Sequence, residues 1–467
     1  MNEQENYDLI VIGAGPVGEN VADYATRKGV RVAIVESELV GGECSYWACM
    51  PSKALLRSGH ALRAAQRLPG ASQAATGKLD ASAVLARRTQ FTSGWKDDGQ
   101  AQWLKSAGIE LIRGRGRLLG VGKVQVGDRI LTARAVALAT GSIPKLPEIP
   151  GLAEARPWGT REITAADHVP ESLAILGGGV AGTEMAFAFA SMGSAVTLIS
   201  RGPLLGREEP FAGEYAAAGL KDAGVQVRFG TTPTRVDRDQ HGMVAIALDD
   251  GSSLRASELV VAAGRAPATL ELGLEAAGVD AKLAVDDTML VAGTDWLYAV
   301  GDVNGRALLT HQGKYQARIA GEAIAARLNG TPLSAGPWGT HAATADHHAV
   351  PRVIFTDPEV AAVGLTESQA RDAGIPVQIV AYDLGQVAGA SLHADGYSGR
   401  AQLVIDRERQ VVIGATFVGQ DVAELLHAAT IAIVGEIPLD RLWHAVPAYP
   451  TISEIWLRLL ETCRQAI

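Results

Sequence analysis

Asp8-Leu9-Ile10-Val11-Ile12-Gly13-Ala14-Gly15-Pro16-Val17-Gly18 is the stretch that decides the fold. Leu9 to Ile12 is apolar without alternation, the pattern of a strand buried on both faces of a parallel sheet. Glycines spaced G-x-G-x-x-G then open a helical pattern that runs to about Lys28, and Val30 to Val35 reads as the next strand, ending at Glu36. In such a turn Gly13 permits the tight bend, Gly15 lets a pyrophosphate approach the backbone, and Gly18 lets helix and strand pack closely. The helix start adds unpaired N–H groups and positive potential. Glu36, 18 residues beyond Gly18, stands where a carboxylate can bind a ribose diol.

The pattern returns 164 residues later, from position 13 to position 177. Ser172 to Leu176 leads into Gly177-Gly178-Gly179-Val180-Ala181-Gly182, with a helix and then the strand Ala195 to Ser200. Gly177, Gly179 and Gly182 take the same three roles, so the chain carries two nucleotide-binding domains. The second unit has no carboxylate at the strand end. It has Arg201, with Arg207 close behind. Arginine grips phosphate with several donors, which suits the 2′-phosphate of NADPH and makes NADH the lesser candidate.

Outward from these units, Asp80 to Ala107 reads as a helical stretch and Ile109 to Leu138 as short strands broken by glycine. Pro144, Pro147 and Pro150 mark a linker. From about Pro351 the pattern changes to strands at 353–355, 401–405 and 411–418, with helices near 366–373, 420–434 and 451–464, a separate α+β domain. The fold class is thus α/β, two Rossmann-like nucleotide-binding domains followed by an α+β domain. A length of 467 residues suits about three domains. The net charge of -9 argues against nucleic acid or an anionic membrane as partner. Met1 to Asn6 is polar and acidic rather than a signal peptide, and no apolar run is long enough to span a membrane. Three cysteines cannot build a structural disulfide framework, so a cytoplasmic location is expected.

Two of those cysteines lie in Gly41-Gly42-Glu43-Cys44-Ser45-Tyr46-Trp47-Ala48-Cys49-Met50-Pro51-Ser52-Lys53. On an ideal helix, positions five apart are displaced by about 7.5 Å along the axis. A disulfide needs Cα atoms roughly 4.4–6.8 Å apart. Cys44 is therefore expected in a distorted turn before a helix, and Cys49 near or inside its first turn, where a reactive thiolate is favoured. Tyr46 and Trp47 read as packing residues for that helix. Cys463 reads as a packing residue in an amphipathic terminal helix with Trp456, Leu457 and Leu460.

The chain resembles the FAD-dependent class I pyridine nucleotide–disulfide oxidoreductases: lipoamide dehydrogenase, glutathione reductase, mercuric reductase and relatives. Besides the cysteine run, the likeness rests on Ala139-Thr140-Gly141-Ser142, Ala263-Gly264-Arg265-Ala266-Pro267, Tyr298-Ala299-Val300-Gly301-Asp302 and Phe355-Thr356-Asp357-Pro358-Glu359. It implies an FAD-binding domain at 1–150 and 271–345, an NAD(P)H-binding domain at 151–270 and a dimerisation domain at 346–467. It makes Cys49 the thiol packed on the flavin and Cys44 the interchange thiol that meets substrate. Lys53 would lie at the flavin and pair with Glu184. Gly13, Gly15, Gly18, Glu36, Thr140, Gly141 and Asp302 fall to FAD, and Gly177, Gly179, Gly182, Arg201, Arg207 and Gly264 to NADPH. The last domain would form a homodimer with shared active sites.

One departure bears on the substrate. Disulfide-reducing members have a histidine just before Pro-Thr-x-Ser-Glu, oriented by the glutamate. Here Tyr449 precedes Pro450-Thr451-Ile452-Ser453-Glu454. A phenol, with a pKa of about 10, is a poor base beside an imidazole near 6.5. Mercuric reductase resembles this arrangement, with tyrosine at the same place, but it also uses a C-terminal vicinal cysteine pair where this chain has only Cys463. His444, five residues upstream, reads as a surface histidine, with a substitute base as the lesser alternative, and His341, His347 and His348 read as a solvated loop rather than a metal site. Glu19-Asn20-Val21-Ala22-Asp23 is acidic where glutathione-specific relatives place a basic residue. The expected activity carries electrons from NADPH through FAD to the Cys44–Cys49 disulfide, and then to a small disulfide that is not glutathione-like. The alternative is a quinone or metal-ion reductase.

Overall fold

Glu5–Ile12 lies between Val32–Glu36 and Arg129–Leu138, parallel to both, at the centre of a seven-stranded sheet. Glu110–Arg113 and Leu297–Ala299 extend the parallel part, and Lys123–Val126 and Gly116–Gly120 add antiparallel strands at one side. Leu9, Val11, Ile34 and Ala137 point into one buried cluster, and Tyr7, Ile10, Ile12 and Val35 into another. Both faces are covered, which is why the strands read as unbroken apolar runs. Each of these Leu, Ile and Val side chains contributes ~1.5–3 kcal/mol by leaving water.

The computed structural model describes residues 5–465. They cluster into two units, one of 5–51, Thr89–Lys145 and Arg265–Asp346, the other of Ser52–Arg88, Leu146–Gly264 and 347–465. The proline-marked stretch contains the crossing from Lys145 to Leu146.

Three local readings shift. The first glycine-turn helix ends at Thr26 rather than Lys28, because Gly29 takes φ 82° and the Val30 N–H closes back on the Ala25 carbonyl at 3.3 Å. Val30 is thereby part of the cap, and its strand begins at Val32. The Asp80–Ala107 stretch is two helices, Ala81–Phe91 and Asp98–Ser106. Ser93, Gly94 and Trp95 between them all have φ of 51–59°, a left-handed turn that no right-handed helix can continue through.

In the second unit Gln226–Phe229, Ala195–Ser200, Ser172–Leu176 and Glu258–Val261 form a parallel sheet, beside a three-stranded antiparallel sheet of Pro233–Arg238, Val244–Leu248 and Ser253–Ala256. Leu173 and Ile175 face one cluster, Ala174 and Leu176 another, again a sheet covered on both sides. The C-terminal part is a five-stranded antiparallel sheet ordered Arg352–Ile354, Glu359–Gly364, Val411–Gly419, Arg400–Asp406, Val377–Asp383. The terminal helix is Ile455–Gln465, and Cys463 is buried in it with its Sγ 3.7 Å from Gln378 Oε1. Among the described residues no helix is long and apolar enough to cross a membrane.

Candidate active site

The first glycine turn divides its work in a way the packing makes visible. A methyl on Gly13 (φ 102°) would lie 2.5 Å from the Ala139 carbonyl oxygen, and one on Gly18 would lie 1.8 Å from that of Gly13. A methyl on Gly15 would meet only the Cα of Gly42, at 4.0 Å. Gly13 and Gly18 are thus required by the chain's own backbone, whereas Gly15 leaves open room at the start of Pro16–Thr26. That helix has no side-chain cap, so its first N–H groups are available to an anion. Glu36 accepts the Ala14 N–H at 2.7 Å and the Glu38 N–H at 2.7 Å, which aims its carboxylate at the turn. Burial pushes its pKa up, and those N–H groups oppose the shift. An open phosphate cradle followed by an oriented carboxylate fits the adenosine end of FAD.

The strand Arg129–Leu138 leads to Thr140, whose hydroxyl donates to the Ala268 carbonyl at 2.8 Å, and to Gly141 at φ 74°. Ser142 donates to Asp302 Oδ2 at 2.6 Å, and Arg265 holds Ser142 through its hydroxyl (2.8 Å) and carbonyl (2.6 Å). Burial raises the pKa of Asp302 against the pull of Ser142 and Arg265.

Cys44 lies in the one-turn helix Gly42–Tyr46, the chain breaks from helical geometry at Trp47 (φ -138°), and Cys49 begins the helix Cys49–Gln66. The break lets the thiols meet where a continuous helix would part them. Both are free thiols, hydrogen-bonded side chain to side chain. Sharing that bond, with burial added, pushes Cys44 up, while Thr310 and the Lys314 charge pull it down. The Thr310 hydroxyl lies 3.1 Å from Cys49 Sγ. Tyr46 is buried, and its hydroxyl bonds to Gln100, while Trp95 Nε1 donates to the Tyr46 carbonyl at 3.2 Å. The left-handed turn at Ser93–Trp95 therefore clamps the loop between the cysteines.

In the other unit Glu184, 3% exposed, sits in the helix Val180–Ser191. It accepts Lys53 Nζ at 2.8 Å and the Phe355 N–H at 3.0 Å, and Lys53 lies over the Phe355 ring at 5.0 Å. The second glycine turn repeats the logic of the first. A methyl on Gly177 would lie 2.4 Å from the Ala262 carbonyl oxygen and one on Gly182 1.9 Å from that of Gly177, whereas nothing comes within 4 Å of one on Gly179. Gly264 has φ 105°. Arg201 and Arg207 are exposed, and neither guanidinium has a partner among the described residues.

Tyr449 is 75% exposed and His444 is exposed. Glu454 is buried, with Oε1 bound by Arg458 at 2.6 Å and Oε2 without a partner among the described residues. It therefore keeps a free acceptor five residues from Tyr449. Among the described residues no three His, Cys, Asp or Glu side chains are grouped to hold a metal ion.

Sequence reading passed over Thr310, Gln100 and Lys314, and named Ser142 and Glu19 only as members of longer stretches. Thr310, first residue of the helix Thr310–Asn329, carried one usable signal, a hydroxyl residue opening a helical pattern shortly after the Asp302 motif. The acidic stretch Glu19 to Asp23 is less negative than it reads. Arg27 binds Asp23 at 2.6 Å, and burial raises the Glu19 carboxyl to about 7.

The family model described as pyridine nucleotide-disulphide oxidoreductase matches residues 7–322, and that described as its dimerisation domain matches 350–459. A dihydrolipoyl dehydrogenase of Chlorobaculum tepidum is 33% identical over 96% of this chain and 95% of its own length. A mercuric reductase of Staphylococcus aureus is 29% identical, with 97% of this chain and 82% of that one covered. The HOCl-induced flavoprotein disulfide reductase RclA from Escherichia coli shares the fold at a TM-score of 0.82, with 26% identity over 97% of this chain and 99% of that one. Glycine turns alone occur in many nucleotide-binding proteins. Their combination with the thiol pair, and with matches to both the nucleotide-binding and the C-terminal regions, decides the matter: this chain belongs to the pyridine nucleotide-disulphide oxidoreductases, flavoproteins that work with FAD and a pyridine nucleotide.

Proposed function

We propose that the chain uses NADPH to reduce a small disulfide that is not glutathione-like, acting as a homodimer whose C-terminal domains complete each other's active sites. In this reading 1–150 with 271–345 holds FAD, 151–270 holds NADPH, and 346–467 pairs the subunits. The observation that carries it is the Cys44–Cys49 contact, set by a helix break so that the two thiols act as one two-electron unit. FAD would supply hydride acceptance from NADPH and transfer of the electron pair to the cysteine disulfide.

The chain's own chemistry then runs on sulfur. The Cys44 thiolate attacks the acceptor, forming a mixed disulfide and releasing one thiolate, which takes a proton. The Cys49 thiolate next attacks Cys44 Sγ, expels the second thiolate and leaves the Cys44–Cys49 disulfide. The helix start at Cys49 favours negative charge there, and the Thr310 hydroxyl can hydrogen-bond it. The test is to mix NADPH-reduced protein anaerobically with small disulfides and with quinones. Rapid re-oxidation by a disulfide supports the reading; re-oxidation by quinones alone sinks it.

Two expectations follow from the nucleotide and C-terminal sites. Arg201 and Arg207 are exposed and unpaired, which leaves both guanidinia available to a 2′-phosphate. Replacing both with alanine should raise KM for NADPH ~10–100-fold, the range for losing charge-assisted phosphate bonds, and leave KM for NADH nearly unchanged. Equal effects on the two nucleotides would defeat the NADPH assignment. Tyr449→His puts an imidazole base five residues before Glu454, whose Oε2 has no partner among the described residues. Exchange with lipoamide-like disulfides should rise ~10-fold or more, a modest share of ordinary acid–base catalysis. No gain would mean that pocket shape limits the reaction.

A further inference from the structure

Three chain segments converge on Cys44. A methyl on Gly42, at the start of the turn bearing Cys44, would lie 2.9 Å from the Gly15 Cα. A methyl on Gly313 would lie 2.6 Å from Val17 Cγ2, so the helix Thr310–Asn329 meets Pro16–Thr26 at its first turn. Lys314 therefore sits beside Gly313 at this junction, one helical turn beyond Thr310 and on its face. Lys314 is exposed and has no ion pair among the described residues, and its charge acts on both Cys44 and Glu19. Glu19, in the first turn of Pro16–Thr26, holds a buried Oε1 with no hydrogen-bond partner. A carboxyl oxygen buried without a partner, under the influence of an ammonium that also acts on the thiol, is not explained by packing.

We propose that the acceptor disulfide carries a carboxylate or a similar anionic group which Lys314 holds beside Cys44, and that Glu19 sets how much of the Lys314 charge is available. This rests on the disulfide-reductase reading and specifies its substrate class. The buried Glu19 carboxyl titrates at about 7. Below that pH it is neutral and Lys314 acts unopposed; above it the carboxylate offsets the ammonium, so preference for anions falls as pH rises. The other groups around Glu19 are Glu36 and Tyr46, with Asp23 tied to Arg27 at 2.6 Å and Arg318 lying 5.6 Å from the Tyr315 ring centre.

Three disulfides of similar size and different charge test this: 3,3′-dithiodipropionate (anionic), bis(2-hydroxyethyl) disulfide (neutral) and cystamine (cationic). With the FAD-loaded enzyme at pH 6, kcat/KM should fall in that order. Lys314→Gln should lower the anionic rate ~3-fold relative to the neutral one, the size expected for a screened surface charge. Glu19→Gln should keep the anionic preference constant from pH 6 to 8. A second readout needs no turnover. In reduced protein the ratio of Cys44 alkylation by iodoacetate to that by iodoacetamide, read on the Cys44 peptide, should fall ~3-fold in Lys314→Gln for the same screened charge. Equal rates for the three disulfides, or an alkylation ratio unmoved by Lys314→Gln, overturn the inference and leave the reductase reading standing. Failure to reduce any of the three overturns both.

Discussion

Cys44→Ser is expected to remove disulfide-linked turnover by ~1000-fold or more, because a hydroxyl cannot replace a thiolate as nucleophile at neutral pH. The substitution is nearly isosteric, so the one-turn helix Gly42–Tyr46 and the Tyr46–Gln100 clamp should persist. Cys49 keeps its Thr310 partner at 3.1 Å. Steady-state NADPH oxidation with a small disulfide, set beside the same assay with a quinone, separates the two possible routes. Loss of the disulfide reaction assigns the transfer to Cys44. Turnover that persists with the disulfide would show that electrons leave elsewhere, and the thiol pair would then be a store rather than the exit.

Most of the frame was legible because it follows from local rules. The strands Ser172–Leu176 and Ala195–Ser200 lie where the sequence places them, since each is built round an apolar run, Leu173 to Leu176 and Leu198 to Ile199, in a sheet covered on both faces. The break between Cys44 and Cys49 was legible from disulfide geometry against helical rise. What escaped were tertiary effects. Nothing local marks Ser93 and Trp95 as left-handed. Their conformation is sustained by bonds such as Trp95 Nε1 to the Tyr46 carbonyl, which join residues far apart in sequence. Glu19 reads only as one acid of a negative stretch, yet burial raises its carboxyl to about 7. Arg63 and Arg67 look like ordinary helix-surface cations, but they hold Asp357 at 2.7 and 2.6 Å, and their charges outweigh burial to keep its carboxyl below the usual range.

Gly15→Ala and Gly18→Ala should fail in different ways, and the contrast tests the cofactor assignment more sharply than either alone. A methyl on Gly18 lies 1.8 Å from the Gly13 carbonyl oxygen, an atom held by the turn and unable to swing aside. Relieving that overlap must shift helix against strand, at ~3 kcal/mol or more, the upper range for overpacking. Gly18→Ala should therefore yield little folded protein, or protein that melts several degrees lower even with excess FAD. A methyl on Gly15 meets nothing nearer than the Gly42 Cα at 4.0 Å, and Gly15 has φ -71°, which alanine adopts freely. The apoprotein should fold and melt normally. The new methyl instead occupies the space through which a pyrophosphate reaches the uncapped N–H groups of Pro16–Thr26, so FAD affinity should fall ~100-fold, about two lost phosphate hydrogen bonds. Flavin content after gel filtration, beside the melting curve with and without added FAD, separates the two variants. If Gly15→Ala retains full flavin, the open space over Gly15 is not where the phosphates pass, and the cradle must be sought elsewhere along the helix start.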